Sequence, residues 1–135
     1  MALTADRNTV SRTGDVVNLP VAADEIIYKG ALVALSATGY VMAGYTASTL
    51  IAIGRAEEYV DATGLADGVK TVTVSKGIFG FANSAATDNV TRANIGGLCY
   101  IVDDATVMKT ASGKSAAGKV FDYDSVNNVV WVDMR

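Results

Sequence analysis

Apolar residues along this chain come in short bursts, broken roughly every ten residues by Gly, Asp, Asn or Ser, and no stretch sustains the spacing of a long amphipathic helix. The clearest alternation is Val69-Lys70-Thr71-Val72-Thr73-Val74-Ser75-Lys76, rich in β-branched residues and bounded by Asp67-Gly68 and Gly77. It predicts a half-buried strand. Ile78-Phe79-Gly80-Phe81-Ala82 follows directly, with Phe79 and Phe81 on one face and Gly80 on the other, where a missing side chain permits close backbone approach or a bulge. Ala31 to Leu35 is an apolar run too short for a helix and bounded by Gly30 and Ser36, so it reads as a strand preceded by a turn at Lys29-Gly30 and by Ile26-Ile27-Tyr28. Val16 to Pro20 reads as a first strand, with Pro20 suited to an end or edge because it has no N–H to give to a ladder. Tyr40 to Met42, Leu50 to Ile53, Leu98 to Val102 and Val107-Met108 predict further short strands.

Two regions depart from this grammar. Residues 1–14 are mostly short and polar, end at Gly14 and show no sustained period, so they predict an arm. Asp88 to Ile95 opens on a capping-type residue and ends at Gly96-Gly97, which predicts one or two helical turns at most. Near the end, Lys119 to Tyr123 and Val129 to Val132 pair naturally as a hairpin across Asp124 to Asn128. In the last strand Val130 and Val132 share one face while Val129 and Trp131 share the other. Phe79, Phe81, Phe121 and Trp131 are expected to lie mostly in the core. No internal repeat of fixed period is visible. The expected fold is all-β, a compact antiparallel β-sandwich or small jelly-roll-like barrel with at most one short helix near residues 88–95. The expected organisation is a polar N-terminal arm at 1–14 and a single β-domain at 15–135.

Composition supports one folded domain with one core: the chain has 135 residues, 50% of them hydrophobic and 19% charged. Thirteen glycines beside one proline fit many tight turns. The net charge of −3 and the scattered lysines and arginines offer no stripe for successive phosphates, so nucleic acid is not an expected partner. The longest apolar stretches fall far short of the roughly 20 residues of a membrane helix, so no membrane partner is expected. Met1 to Arg7 has neither a basic nor an apolar leader pattern, and synthesis in a cytoplasm is the expectation.

Candidate chemistry is sparse. Histidine is absent, which removes the commonest general base and metal ligand. Cys99, between Leu98 and Tyr100, reads as a buried small hydrophobe. Gly113-Lys114-Ser115 matches the tail of a phosphate-binding loop, but Met108 stands where the motif needs its first glycine, so the segment reads as a flexible connection. Asp103-Asp104 and Asp122 with Asp124 are the only acidic constellations suited to a hard cation, and turn roles explain them more simply. A further expectation is an enzyme that uses a carboxylate pair, for example Asp122 with Glu57 or Glu58, for acid/base work on a polysaccharide.

Gly54-Arg55-Ala56, Lys76-Gly77-Ile78-Phe79, Cys99 to Val107, Ala117 to Asp124 and Val130-Trp131-Val132 together resemble small decoration, or cement, proteins of tailed-bacteriophage heads, over about residues 50 to 135. That resemblance implies a β-sandwich or barrel domain on the outer capsid surface of a virion, made in the host bacterial cytoplasm. It further implies contact with the major capsid protein, clamping of neighbouring subunits, assembly as a dimer or trimer, and neither catalysis nor a cofactor. The arm would supply contacts through Leu3, Thr4, Arg7, Asn8, Val10 and Arg12. The alternative expectation is a tail- or fibre-associated β-module that binds a host glycan or protein.

Overall fold

A computed structural model describes residues 1–135. Strand accounts for 42% of the residues and helix for 2%, so the chain is all-β as its pattern predicts. Twelve strands follow in order: β1 (Val16–Pro20), β2 (Ile26–Ile27), β3 (Leu32–Leu35), β4 (Val41–Ala43), β5 (Ile51–Ala56), β6 (Val60–Asp61), β7 (Thr71–Ser75), β8 (Ile78–Asn83), β9 (Leu98–Ile101), β10 (Thr106–Met108), β11 (Ala116–Asp124) and β12 (Val129–Asp133). The helical expectation contracts to one 3-10 turn, Arg92–Asn94, led by Thr91. Asp88 does not cap it; its carboxylate accepts the Ser84 hydroxyl at 2.6 Å.

The strands form two main bodies. The first is a five-stranded sheet in the order β1-β7-β5-β3-β4. Its edges approach each other, since Val21 bridges Val41 and the Ala22 N–H donates to the Val41 carbonyl at 3.0 Å. The short β2-β6 ribbon supplies Ile27 and Val60 to the same interior. The second body is a small closed barrel, β10-β8-β12-β11-β9. Its ladders are antiparallel except for the two-residue β8/β10 seam, which is parallel.

Strand β3 joins the two bodies. Ala31, Val33 and Leu35 pack into the cluster of the first sheet, with Val41, Ile53, Val72 and Val74. Leu32 and Ala34 pack into the cluster of the barrel, with Phe81, Cys99, Ile101, Val130 and Val132. A strand that feeds apolar layers on both faces loses the alternation of a half-exposed strand, which is why its sequence reads as an unbroken apolar run. Each fully buried Val or Leu contributes about 1.5–3 kcal/mol, so the apolar material is divided between two clusters that share a wall. No helix is long and apolar enough to cross a membrane.

Candidate functional site

Every residue of the arm, 1–14, is exposed and none belongs to a strand. Leu3, Thr4, Arg7, Asn8, Val10 and Arg12 are therefore all in solvent; the structure does not gather them into a cluster. The arm's one backbone hydrogen bond is internal, from the Thr9 N–H to the Arg7 carbonyl at 3.1 Å. Arg7 and Arg12 against Asp6 leave the arm one positive charge, while the remainder of the chain carries four negative ones.

The arm's root has a defined place. The Asp15 carbonyl accepts the Lys76 N–H at 2.8 Å, and one residue on, the Gly77 carbonyl accepts the Met134 N–H at 2.8 Å. The next residue, Ile78, pairs with Asp133 and lines a shallow groove of about 390 Å³ with Phe121, Asp122 and Trp131. The arm thus leaves the body beside an apolar groove on the outside of the barrel.

The groove overturns one sequence expectation. Phe121 is 55% exposed and Trp131 40% exposed, whereas Phe81 is buried and Phe79 packs half-buried against the barrel cluster beneath the Arg55 guanidinium, 4.4 Å above its ring. The β11/β12 register shifts between Val120 and Asp122, leaving Phe121 as the extra residue of a bulge. Val120 points into the core, and Phe121 and Asp122 both face solvent, as a bulge permits by breaking strict alternation. Trp131 faces outward because Val130 and Val132 already occupy the barrel interior. It lies across from Gly80, whose lack of a side chain lets the indole lie close to the backbone. At the end of the same strand, Arg135 forms a salt bridge to Asp133 at 2.9 Å. That partner holds the Asp133 carboxyl down at about 2.

The remaining candidates have local structural partners. Cys99 is buried with its thiol 3.5 Å from the Gly118 carbonyl, and burial pushes its pKa up to about 12; it is a packed hydrophobe with no accessible thiolate. Glu57 pairs with Arg55, whose hydrogen bond draws the carboxyl below its usual range. The Glu58 carboxylate accepts the Thr73 N–H, and Asp122 accepts the Tyr123 N–H. The three carboxylates proposed for acid/base work are thus bonded separately. Asp103 accepts the Ala105 N–H and Asp124 those of Val126 and Asn127, the turn roles expected of them. Asp24, Glu25, Asp61, Asp67 and Asp133 likewise accept backbone N–H groups. The acidity of this chain is therefore largely invested in stapling its own loops. No group of three or more Asp, Glu, Cys or His side chains comes together to hold a metal ion.

Sequence reasoning passes over two side chains that organise the scaffold. Ser115, in the segment read as a flexible connection, is buried; its hydroxyl donates to the Ala47 carbonyl at 2.6 Å and accepts the Leu50 N–H at 3.0 Å. Asn83, also buried, exchanges two 2.8 Å bonds with the Val90 backbone and donates to Asn128 at 3.1 Å. A polar residue inside an apolar strand, as in Phe81-Ala82-Asn83, is the one signal that could have found the second.

Comparison with protein-family models, with curated proteins and with solved structures returns no match to this chain. The structure presents a β body stapled by its own carboxylates, an exposed arm with one net positive charge, and an apolar groove two residues from the arm's root.

Proposed function

We propose that this protein decorates the outer surface of a phage head, laying its arm and its Trp131 groove across neighbouring major capsid subunits. The observation that carries the reading is the position of the arm's root, two residues along β7–β8 from the groove wall at Ile78. Free in solution, the arm has no partner for Leu3 or Val10, and the groove has none for Trp131 or Phe121. Folding leaves this apolar surface in water, and contact with a second protein would remove it. Fully extended, fourteen residues reach about 45 Å, far enough to pass from one subunit to the next. Ordering the arm costs entropy, which is offset when a rigid body has already docked beside it. Copies grouped as dimers or trimers at a symmetry junction would multiply that gain.

The resemblance drawn from residues 50 to 135 supports the same reading, because Lys76 to Phe79 and Val130 to Val132 contribute the arm's anchor and the groove. The test is cosedimentation with purified empty heads of the source phage. The full chain should saturate the heads, and both a 15–135 chain and Trp131→Ala should bind at least tenfold more weakly. Equal occupancy by all three would overturn the proposal.

A further inference from the structure

A second surface lies at the seam between the two bodies. Tyr28 and Tyr59 are both largely exposed, at 61% and 56%, yet their rings are held together with centroids 5.5 Å apart and planes inclined at 41°. Tyr28 also borders a shallow crevice of about 280 Å³ with Lys29, Gly30, Ala31, Asp104 and Ala105. Two connections line it, the β2–β3 turn and the β9–β10 turn, and the β5–β6 connection brings Tyr59 against Tyr28 at its border.

Backbone hydrogen bonds fix the crevice. The Gly30 N–H donates to the Ala56 carbonyl at 2.8 Å, the Ala31 N–H to Tyr28 at 3.1 Å and the Leu32 N–H to Asp104 at 2.8 Å. The Asp103 carboxylate holds the Ala105 N–H at 2.8 Å. Gly30, at φ 89°, has open space where a side chain would be. Lys29 and Asp104 take no part in either salt bridge of the chain, although Lys29 lies close enough to Glu57 to help lower that carboxyl's pKa. A cation, an anion and two aromatic faces are thus presented to solvent on a preformed frame, and neither core has a claim on them.

We infer that this crevice binds a neutral pyranose, with the sugar's C–H face on Tyr28 and Tyr59 and its hydroxyls reaching Lys29 and Asp104. A pyranose has one apolar face and a rim of groups that both donate and accept, so it matches aromatic faces beside an unpaired ammonium and carboxylate. An anionic ligand would meet Asp104, and a nucleic acid strand would need a run of cations where only Lys29 stands. The turn that carries Tyr28 is fixed by backbone bonds, so little main-chain freedom is lost there on binding. The site is separate from the arm and the groove, so it stands or falls apart from the head-binding proposal.

The experiment is a ¹⁵N–¹H NMR titration of the full chain with four probes: maltotriose, chitotriose, mannotriose and lactose. At least one should give saturable shifts at the Lys29, Gly30, Ala31 and Ala105 amides with a Kd of about 1 mM. Tyr28→Ala and Tyr59→Ala, which alter exposed side chains, should retain the dispersed spectrum of the folded chain and bind that probe at least tenfold more weakly. Both should cosediment with heads as the unaltered chain does. Absence of saturable shifts with all four probes, or equal affinity in the tyrosine variants, would overturn the assignment.

Discussion

Trp131 lies directly across from Gly80 in the β8/β12 ladder, and a Cβ built on Gly80 would sit 3.5 Å from the indole Cζ3. That separation is ordinary van der Waals contact, and the tight neighbour of Gly80 is Val129, whose Cγ1 would lie 2.8 Å from the added carbon. Gly118 has a different constraint: a Cβ there would overlap the Asp133 carbonyl oxygen. Gly80 is thus constrained by a side chain and Gly118 by backbone.

Gly80→Ala brings the new methyl to 2.8 Å from Val129 Cγ1, a β-branched side chain with little rotamer freedom to yield. The expected cost is about 1–3 kcal/mol, with a shift in Trp131 fluorescence in the folded state. In Gly118→Ala the obstacle is backbone in the β11/β12 ladder, and the expected loss is larger, about 3 kcal/mol or more. Urea denaturation followed by Trp131 emission ranks the two. Gly118→Ala as stable as Gly80→Ala would contradict the close approach of β11 and β12.

Ser115→Ala removes the acceptor of the Leu50 N–H and the donor to the Ala47 carbonyl in one step. Buried groups left unsatisfied cost about 1–3 kcal/mol. The Leu50 amide should exchange with solvent faster than in the unaltered chain while amides of β7 keep their protection. Unchanged exchange at Leu50 would show that the hydroxyl does not hold this connection.

Local pattern and tertiary pairing part company at particular residues of this chain. β-branched alternation at Val69 to Lys76 and apolar pairing around Asp124 to Asn128 report local geometry, and both elements form, the first shortened to β7 at Thr71–Ser75 and the second as the β11–β12 hairpin. Ala31 to Leu35 announces a strand without saying that its two faces serve different clusters, because an unbroken apolar run carries no record of what covers each side. Phe121 looks like core since the bulge that turns it outward is set by pairing with β12, a register that no local pattern encodes. Ser115 sits among small polar residues typical of a loop, and only the tertiary approach of Ala47 and Leu50 gives its hydroxyl a role. The arm was visible as an absence of period, but its root beside Ile78 depends on long-range bonds.

Acid should weaken the protein and neutral pH should leave its stability nearly flat. Arg55 lowers the Glu57 pKa, Thr63 that of Asp61 and Asn127 that of Asp124, while Arg135 takes Asp133 from 3.8 to about 2. A carboxyl whose folded pKa lies below its unfolded value stabilises the fold above the unfolded pKa and loses that contribution as pH falls through the folded one. With no histidine in the chain, the urea midpoint should change little between about pH 5.5 and 7 and fall between about pH 4 and 2. A midpoint that rises on acidification would contradict these ion pairs and turns.

Cys99 should resist thiol reagents in the folded chain. Its buried position and a pKa pushed up to about 12 leave almost no thiolate at pH 8. Labelling by a disulfide reagent should accelerate only in denaturant, in step with unfolding. Rapid labelling in buffer would contradict its burial in the barrel.

The proposal of head binding is tested most directly by electron cryomicroscopy of empty tailed-phage heads with and without the added protein. The account predicts extra density on the outer surface at a symmetry junction, with the barrel face carrying Ile78, Phe121 and Trp131 against the shell and residues 2–14 traceable across an adjoining subunit. Heads that stay bare at saturating protein, or that hold it with arm and groove both turned to solvent, would contradict it.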